Sequence, residues 1–183
     1  MVIYVKITPY NANGDAMGCT EENFTTENVA TGCLPGGILF STQAQIDAFP
    51  TNYPGCTEIL GNVIIEECCA GAIMNLNGLS QITSIDGGLF VYSNPQLTSL
   101  TGLENLTSIN GAIEILNNQI LNSLTGIQNI NAAGITHLSI VNNQSLDECA
   151  VQSICNYLNI PTNTATVFDN VGNCESIPII LVN

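Results

Sequence analysis

The chain has 183 residues, 45% of them hydrophobic, which is enough for one domain with a sizeable core and too apolar for a disordered acidic tail. Fifteen acidic residues stand against a single basic one, Lys6, for a net charge of −14. That balance excludes nucleic-acid binding and docking on anionic lipid, which both need clustered Lys and Arg.

Residues 1–32 read as an N-terminal extension, a strand followed by an acidic loop. Val2-Ile-Tyr-Val-Lys-Ile7 is an apolar, β-type end. The stretch Met1–Ile7 is too short for a signal peptide and lacks a basic start and a cleavage site, so the chain reads as a mature protein or a piece of a longer one. No run of 18 apolar residues occurs, and no membrane insertion is expected. Asn11-Ala-Asn-Gly-Asp15, with Glu21, Glu22 and Glu27 nearby, is oxygen-rich and a candidate for Ca²⁺. It lacks the D-x-D-x-D-G order, and a solvated acidic loop is the plainer reading, so no cofactor is expected.

Ser41-Thr-Gln-Ala-Gln-Ile-Asp-Ala-Phe49 predicts a short helix, with Ser41 or Thr42 as N-cap and Pro50 as its stop. A repeat follows. Ile85-Asp-Gly-Gly-Leu89-Phe-Val91-Tyr-Ser-Asn94 aligns with Ile109-Asn-Gly-Ala-Ile113-Glu-Ile115-Leu-Asn-Asn118, and with Gly134-Ile-Thr-His-Leu138-Ser-Ile140-Val-Asn-Asn143. An earlier copy begins Ile59-Leu-Gly-Asn-Val63-Ile-Ile65. The anchors Val63, Leu89, Ile113 and Leu138 stand 26, 24 and 25 residues apart. Each strand is followed by a second pattern: Leu76, Leu79, Ile82, Ile85; then Leu100, Leu103, Leu106, Ile109; then Leu124, Ile127, Ile130.

A repeat of this length holds one short parallel strand and several turns. The expected fold is a β-solenoid, a right-handed leucine-rich-repeat-like β-helix with short capping helices. The pairs Val63/Ile65, Leu89/Val91, Ile113/Ile115 and Leu138/Ile140 alternate at period two and point inward. Asn94, Asn118 and Asn143 are expected to turn inward and bond neighbouring backbone as a ladder. Gly87, Gly102, Gly111 and Gly126 are expected at tight corners.

Asp147–Leu158 predicts a closing helix with Val151, Ile154, Cys155 and Leu158 as its apolar stripe and a capping box of Ser145 with Glu148. Residues 164–183 are expected to return as one or two strands, 176–183 as a terminal strand or tail.

Eight cysteines, one histidine and no C-x-x-C pair argue for disulfides in an oxidising compartment rather than zinc. Their connectivity stays open. Catalytic signatures are missing. His137 reads as a corner or surface residue, and the adjacent pairs Glu66–Glu67 and Asp147–Glu148 do not have the disposition of an acid/base dyad. No enzyme is expected. Asn23-Phe-Thr25, Asn105-Leu-Thr107 and Asn143-Gln-Ser145 match the glycosylation sequon, which for Asn143 conflicts with the ladder role.

The residues between the inward pairs form a candidate partner-binding row: Ile64, Glu66, Phe90, Tyr92, Glu114, Leu116, Ser139 and Val141. Five of the eight are apolar or aromatic, unusual for a solvent face. Phe90 and Tyr92 are the candidate anchors. The competing reading is that residues 1–10 or 176–183 cover the row.

The opening Cys33, then Gly-Ile-Leu-Phe-Ser-Thr-Gln over 37–43, then Cys56-Thr-Glu-Ile-Leu-Gly-Asn-Val-Ile-Ile65, resembles the receptor L domain of insulin- and epidermal-growth-factor-type receptors. The repeats and the ending Cys149-Ala-Val-Gln-Ser-Ile-Cys155-Asn-Tyr-Leu158 look like members in secreted surface proteins of marine Bacteroidetes. The resemblance spans residues 33–175. It implies a Cys33–Cys56 disulfide, a pairing of Cys174 with Cys149 or Cys155, and a ligand-facing sheet; it leaves Cys19, Cys68 and Cys69 unplaced.

Together these features predict an extracellular or cell-surface binding or adhesion module that recognises protein or glycan through its outer sheet face. A second reading is a structural subunit that self-assembles into filaments by exchanging the terminal segments Val2–Ile7 and Ile177–Val182.

Overall fold

The computed structural model describes residues 10–11, 14–15, 32–68 and 72–180. The chain divides into two units, 1–31 and 32–183. In the first, β1 (Tyr10–Asn11) pairs antiparallel with β2 (Gly14–Asp15). The predicted strand Val2–Ile7, the residues Glu21, Glu22 and Glu27, and Cys19 and Cys69 lie outside the described residues.

The second unit is built from repeats that each lay one strand beside the last. β3 (Ile38–Phe40), β5 (Val63–Glu66), β7 (Leu89–Tyr92), β9 (Ile113–Leu116), β10 (Leu138–Val141) and β11 (Ala165–Phe168) form one parallel six-stranded sheet in chain order. The register is unbroken: Ile38, Val63, Leu89, Ile113, Leu138 and Ala165 stand side by side. A second parallel sheet joins β4 (Glu58–Ile59), β6 (Ser84–Ile85) and β8 (Ser108–Ile109).

The alternation of the strands decides what is buried. Val63, Ile65, Leu89, Val91, Ile113, Ile115, Leu138 and Ile140 are all 0% exposed. Leu76, Leu79 and Ile82, Leu100, Leu103 and Leu106, and Leu124, Ile127 and Ile130 meet them from the other side as one core. Each such side chain contributes about 1.5–3 kcal/mol on leaving water.

The ladder of asparagines continues one step further than the three predicted positions. Asn94, Asn118 and Asn143 are wholly buried, and Asn170 joins them. The backbone N–H of Asn94 donates to Asn118 Oδ1 (3.0 Å), that of Asn118 to Asn143 Oδ1 (3.0 Å), and that of Asn143 to Asn170 Oδ1 (3.1 Å). Each Nδ2 donates back to a carbonyl of the preceding strand: Ile65, Val91, Ile115 and Ile140. The chain swings each Asn inward through a left-handed residue just before it, Ser93, Asn117, Asn142 and Asp169, at φ of 51–61°.

Gly102 and Gly126 need glycine twice over. Their φ of 112° and 123° suits no L side chain, and a Cβ would overlap the carbonyls of Leu76 and Leu100 one repeat earlier. Gly87 and Gly111 have ordinary dihedrals but stack directly on Asn62 and on Gly87.

The predicted helices shift. α1 (Gln43–Asn52) has the N-cap Thr42 in a full capping box with Gln45. Pro50 lies inside it rather than ending it. A proline removes only its own N–H, and the Ile46 carbonyl left free packs against Gly78. Tyr53 N–H still closes on the Phe49 carbonyl (2.9 Å), and Phe49 is buried edge-on against Phe40. α2 is shorter than predicted, Gln152–Leu158 with Val151 as N-cap. The Ser145–Glu148 capping box does not form, because residues 147–149 extend the repeat: Ser123 bridges Glu148, and Leu124 N–H donates to the Glu148 carbonyl. Ile154 lies fully buried, joined by Ser153 and Tyr157, whereas Val151, Cys155 and Leu158 are only half-buried.

Of the expected C-terminal strands, β11 forms. Ile177–Ile180, expected as a strand or tail, is instead a helical turn, α3, with Ile180 in the core. An extended donor segment at 177–180 is therefore corrected. Cys33 bonds Cys56, and Cys174 bonds Cys149, leaving Cys155 as a half-buried thiol. Cys68, unplaced by the sequence, falls beyond the end of β5 and is exposed.

Candidate functional site

The eight predicted row residues fall on the outer face of the six-stranded sheet, in two registered lines. Ile64, Phe90, Glu114 and Ser139 are direct neighbours in one, and Glu66, Tyr92, Leu116 and Val141 in the other. Glu66 is exposed and the other seven are half-buried. Sequence reading missed the two ends of these lines. Leu39 extends the first before Ile64 and is 50% exposed. Thr166 and Phe168 close the two lines on β11, with Phe168 48% exposed. The signal was available: Ala165-Thr-Val-Phe168 followed by Asn170 repeats the strand pattern of Leu89-Phe-Val-Tyr92 followed by Asn94.

The centre of the face is held in place. The Tyr92 hydroxyl donates to Glu114 Oε2 at 2.5 Å across adjacent strands. Burial, that hydrogen bond, the Glu114 charge and the Glu66 charge all push the Tyr92 phenol well above its ordinary range. The Phe90 and Tyr92 rings sit 5.8 Å apart, tilted by 49°. Phe90 lies down over Gly88, where a Cβ would come 2.7 Å from the ring. Gly88 thus gives Phe90 room to lie flat along the strand.

Candidates for chemistry have structural employment. The His137 carbonyl accepts from Ile113 N–H at 2.9 Å, and its ring has no hydrogen-bond partner among the described residues. Glu67 Oε2 accepts from Ile73 N–H and Asp147 Oδ1 from Asn173 N–H. A cleft of about 280 Å³ is lined by Ser123, Thr125, Asp147, Glu148 and Asn173, and its two hydroxyls bond each other at 2.9 Å. No group of three metal-binding side chains occurs among the described residues. Asn143, being buried, is closed to glycosylation, while Asn105 is exposed.

No helix among the described residues is long and apolar enough to cross a membrane. The two disulfides fit an extracellular or cell-surface protein. No curated protein matches the chain significantly. The family model for the receptor L domain, a family of ligand-binding modules that are in general non-catalytic, matches residues 55–160. With more than half of its length matched, the chain belongs to the receptor L domain family.

Proposed function

We propose that this chain is a β-solenoid of the leucine-rich-repeat-like type, and that it serves as an extracellular binding module whose ligand docks on the outer face of the six-stranded sheet. One observation carries the reading: on that face Leu39, Ile64 and Phe90 are successive neighbours in one line, and Tyr92, Leu116, Val141 and Phe168 in the other. Contiguous apolar surface of this kind marks an interface.

A protein surface suits the face better than a glycan. Sugars need exposed hydrogen-bonding groups beside an aromatic platform, but the Tyr92 hydroxyl and Glu114 are already engaged with each other. Aliphatic side chains dominate the rest. The exposed carboxylate of Glu66 favours a partner that brings Lys or Arg beside an apolar centre.

Panels of extracellular proteins and of glycans, probed with the wild-type chain and with the double variant Phe90→Ser/Tyr92→Ser, test this. Protein ligands retained by wild type and lost by the variant, while the variant keeps the circular dichroism of the folded chain, support the proposal. Glycan-only binding, or protein binding that survives the double substitution, refutes it.

A further inference from the structure

The two edges of the six-stranded sheet are not equivalent. The inward residue that opens each strand sends its backbone N–H toward the next repeat, Val63 to the Gly88 carbonyl, Leu89 to Ala112 and Ile113 to His137, and so do the turn residues after two of the strands, Ser93 to Leu116 and Asn117 to Val141. By the same alternation, Ala165 and Val167 of β11 aim theirs at an edge where no strand follows among the described residues. The N–H groups of Asp169 and Asn170, whose equivalents in earlier repeats are bonded, have no acceptor among the described residues. Asn170 accepts from Asn143, and no described residue continues the ladder beyond it. The core is open there too: Ala165 and Val167 are half-buried, whereas their counterparts in the four preceding strands are 0% exposed.

The opposite edge is blunted. On β3 the N–H of Gly37 donates to the Leu34 carbonyl (2.9 Å) and that of Ser41 to Gln45 Oε1 (2.7 Å). Between them Leu39 has no strand on its edge side among the described residues. Head-to-tail addition of β3 to the β11 of another copy therefore offers too few bonds.

We propose that β11 is a self-association edge, at which two copies of this chain meet antiparallel about a twofold axis with Val167 facing Val167. That register makes Val167 a hydrogen-bonded pair with its own equivalent, each donating to the other's carbonyl. It covers the half-open Val167 side chains and sets Phe168 beside Thr166 of the second copy, joining the two outer faces. β11 itself carries no charge, proline or lysine that would guard an edge. Because the other edge is blunted, the association closes at two and builds no fibre. Each copy carries −14, so the dimer strengthens as salt screens the repulsion.

Sedimentation equilibrium of the full chain across concentration, at low and high salt, tests this. The expected result is a monomer–dimer equilibrium that tightens with salt. Val167→Pro removes an edge N–H without touching the β10 ladder, and is expected to weaken dimerisation by about tenfold or more. If that variant fails to fold, amide exchange on the wild type decides: the Val167 amide slows as concentration rises. A chain that stays monomeric throughout, a folded Val167→Pro variant that dimerises normally, or a Val167 amide indifferent to concentration overturns the proposal.

Discussion

Asn143 and Asn170 lie 27 residues apart in sequence, yet the backbone N–H of the first donates to the side-chain carbonyl of the second at 3.1 Å. The same bond joins Asn118 to Asn143 and Asn94 to Asn118. Every repeat is thus tied to its neighbour through groups that are buried and have no alternative partner. Asn118→Ala strands the Asn94 N–H and takes the side-chain donor from the Val91 carbonyl, while the Leu116 carbonyl keeps the Ser93 N–H. At about 1–3 kcal/mol per orphaned group, the expected loss is about 2–4 kcal/mol in urea unfolding. Asn170→Ala, at the open edge, is expected to cost about half as much.

Backbone strain makes a second prediction. Asn117 at φ 61° tolerates the left-handed region better than most residues, and glycine tolerates it best. Asn117→Gly is expected within about 0.5 kcal/mol of wild type, and Asn117→Val about 2 kcal/mol less stable. Equal melting of the two variants would remove the conformational argument.

Gly102 and Gly55 separate strain from crowding. Both have positive φ, 112° and 76°, but only Gly102 packs against another repeat, on the Leu76 carbonyl; Gly55 has open space around it. Gly55→Ala is expected to cost about 1 kcal/mol and Gly102→Ala about 3 kcal/mol or more, measured by chemical unfolding.

The Tyr92 phenol is raised by burial first and then by its bond to Glu114. In the unfolded chain it loses its proton near pH 10, while in the fold it holds it to higher pH. Its contribution to stability is therefore complete below about pH 10 and is lost as pH rises toward the folded value. Tyr92→Phe should flatten the fall in stability above pH 10, and the tyrosinate absorbance of the native protein should lack the Tyr92 share in that window. Ionisation of every tyrosine near pH 10 in the folded state would contradict the assignment.

Much of this was legible because the repeat obeys period two and returns every two dozen residues. Leu89, Ile113 and Leu138 could be aligned by eye, and their neighbours Phe90, Glu114 and Ser139 then had to face outward. What escaped depended on competition between repeat and local signal. Ser145 and Glu148 carry helix-start spacing, but the Glu148 backbone is taken by Leu124 and Asn122, so the helix waits until Gln152. Pro50 is a stop signal that buried Phe49 overrides. Asn170 and Phe168 repeat the pattern with Ala165 in place of a large aliphatic anchor, which hid the expected strand's place as the last rung of the repeat.

The most direct test of ligand docking on the sheet is side-chain radical footprinting of the free chain and of its complex with a protein ligand. The account predicts that Phe90, Tyr92, Leu116 and Phe168 react in the free protein and are protected in the complex. If those four are already inert in the free chain, or react equally in both states, the outer face is not where the ligand binds.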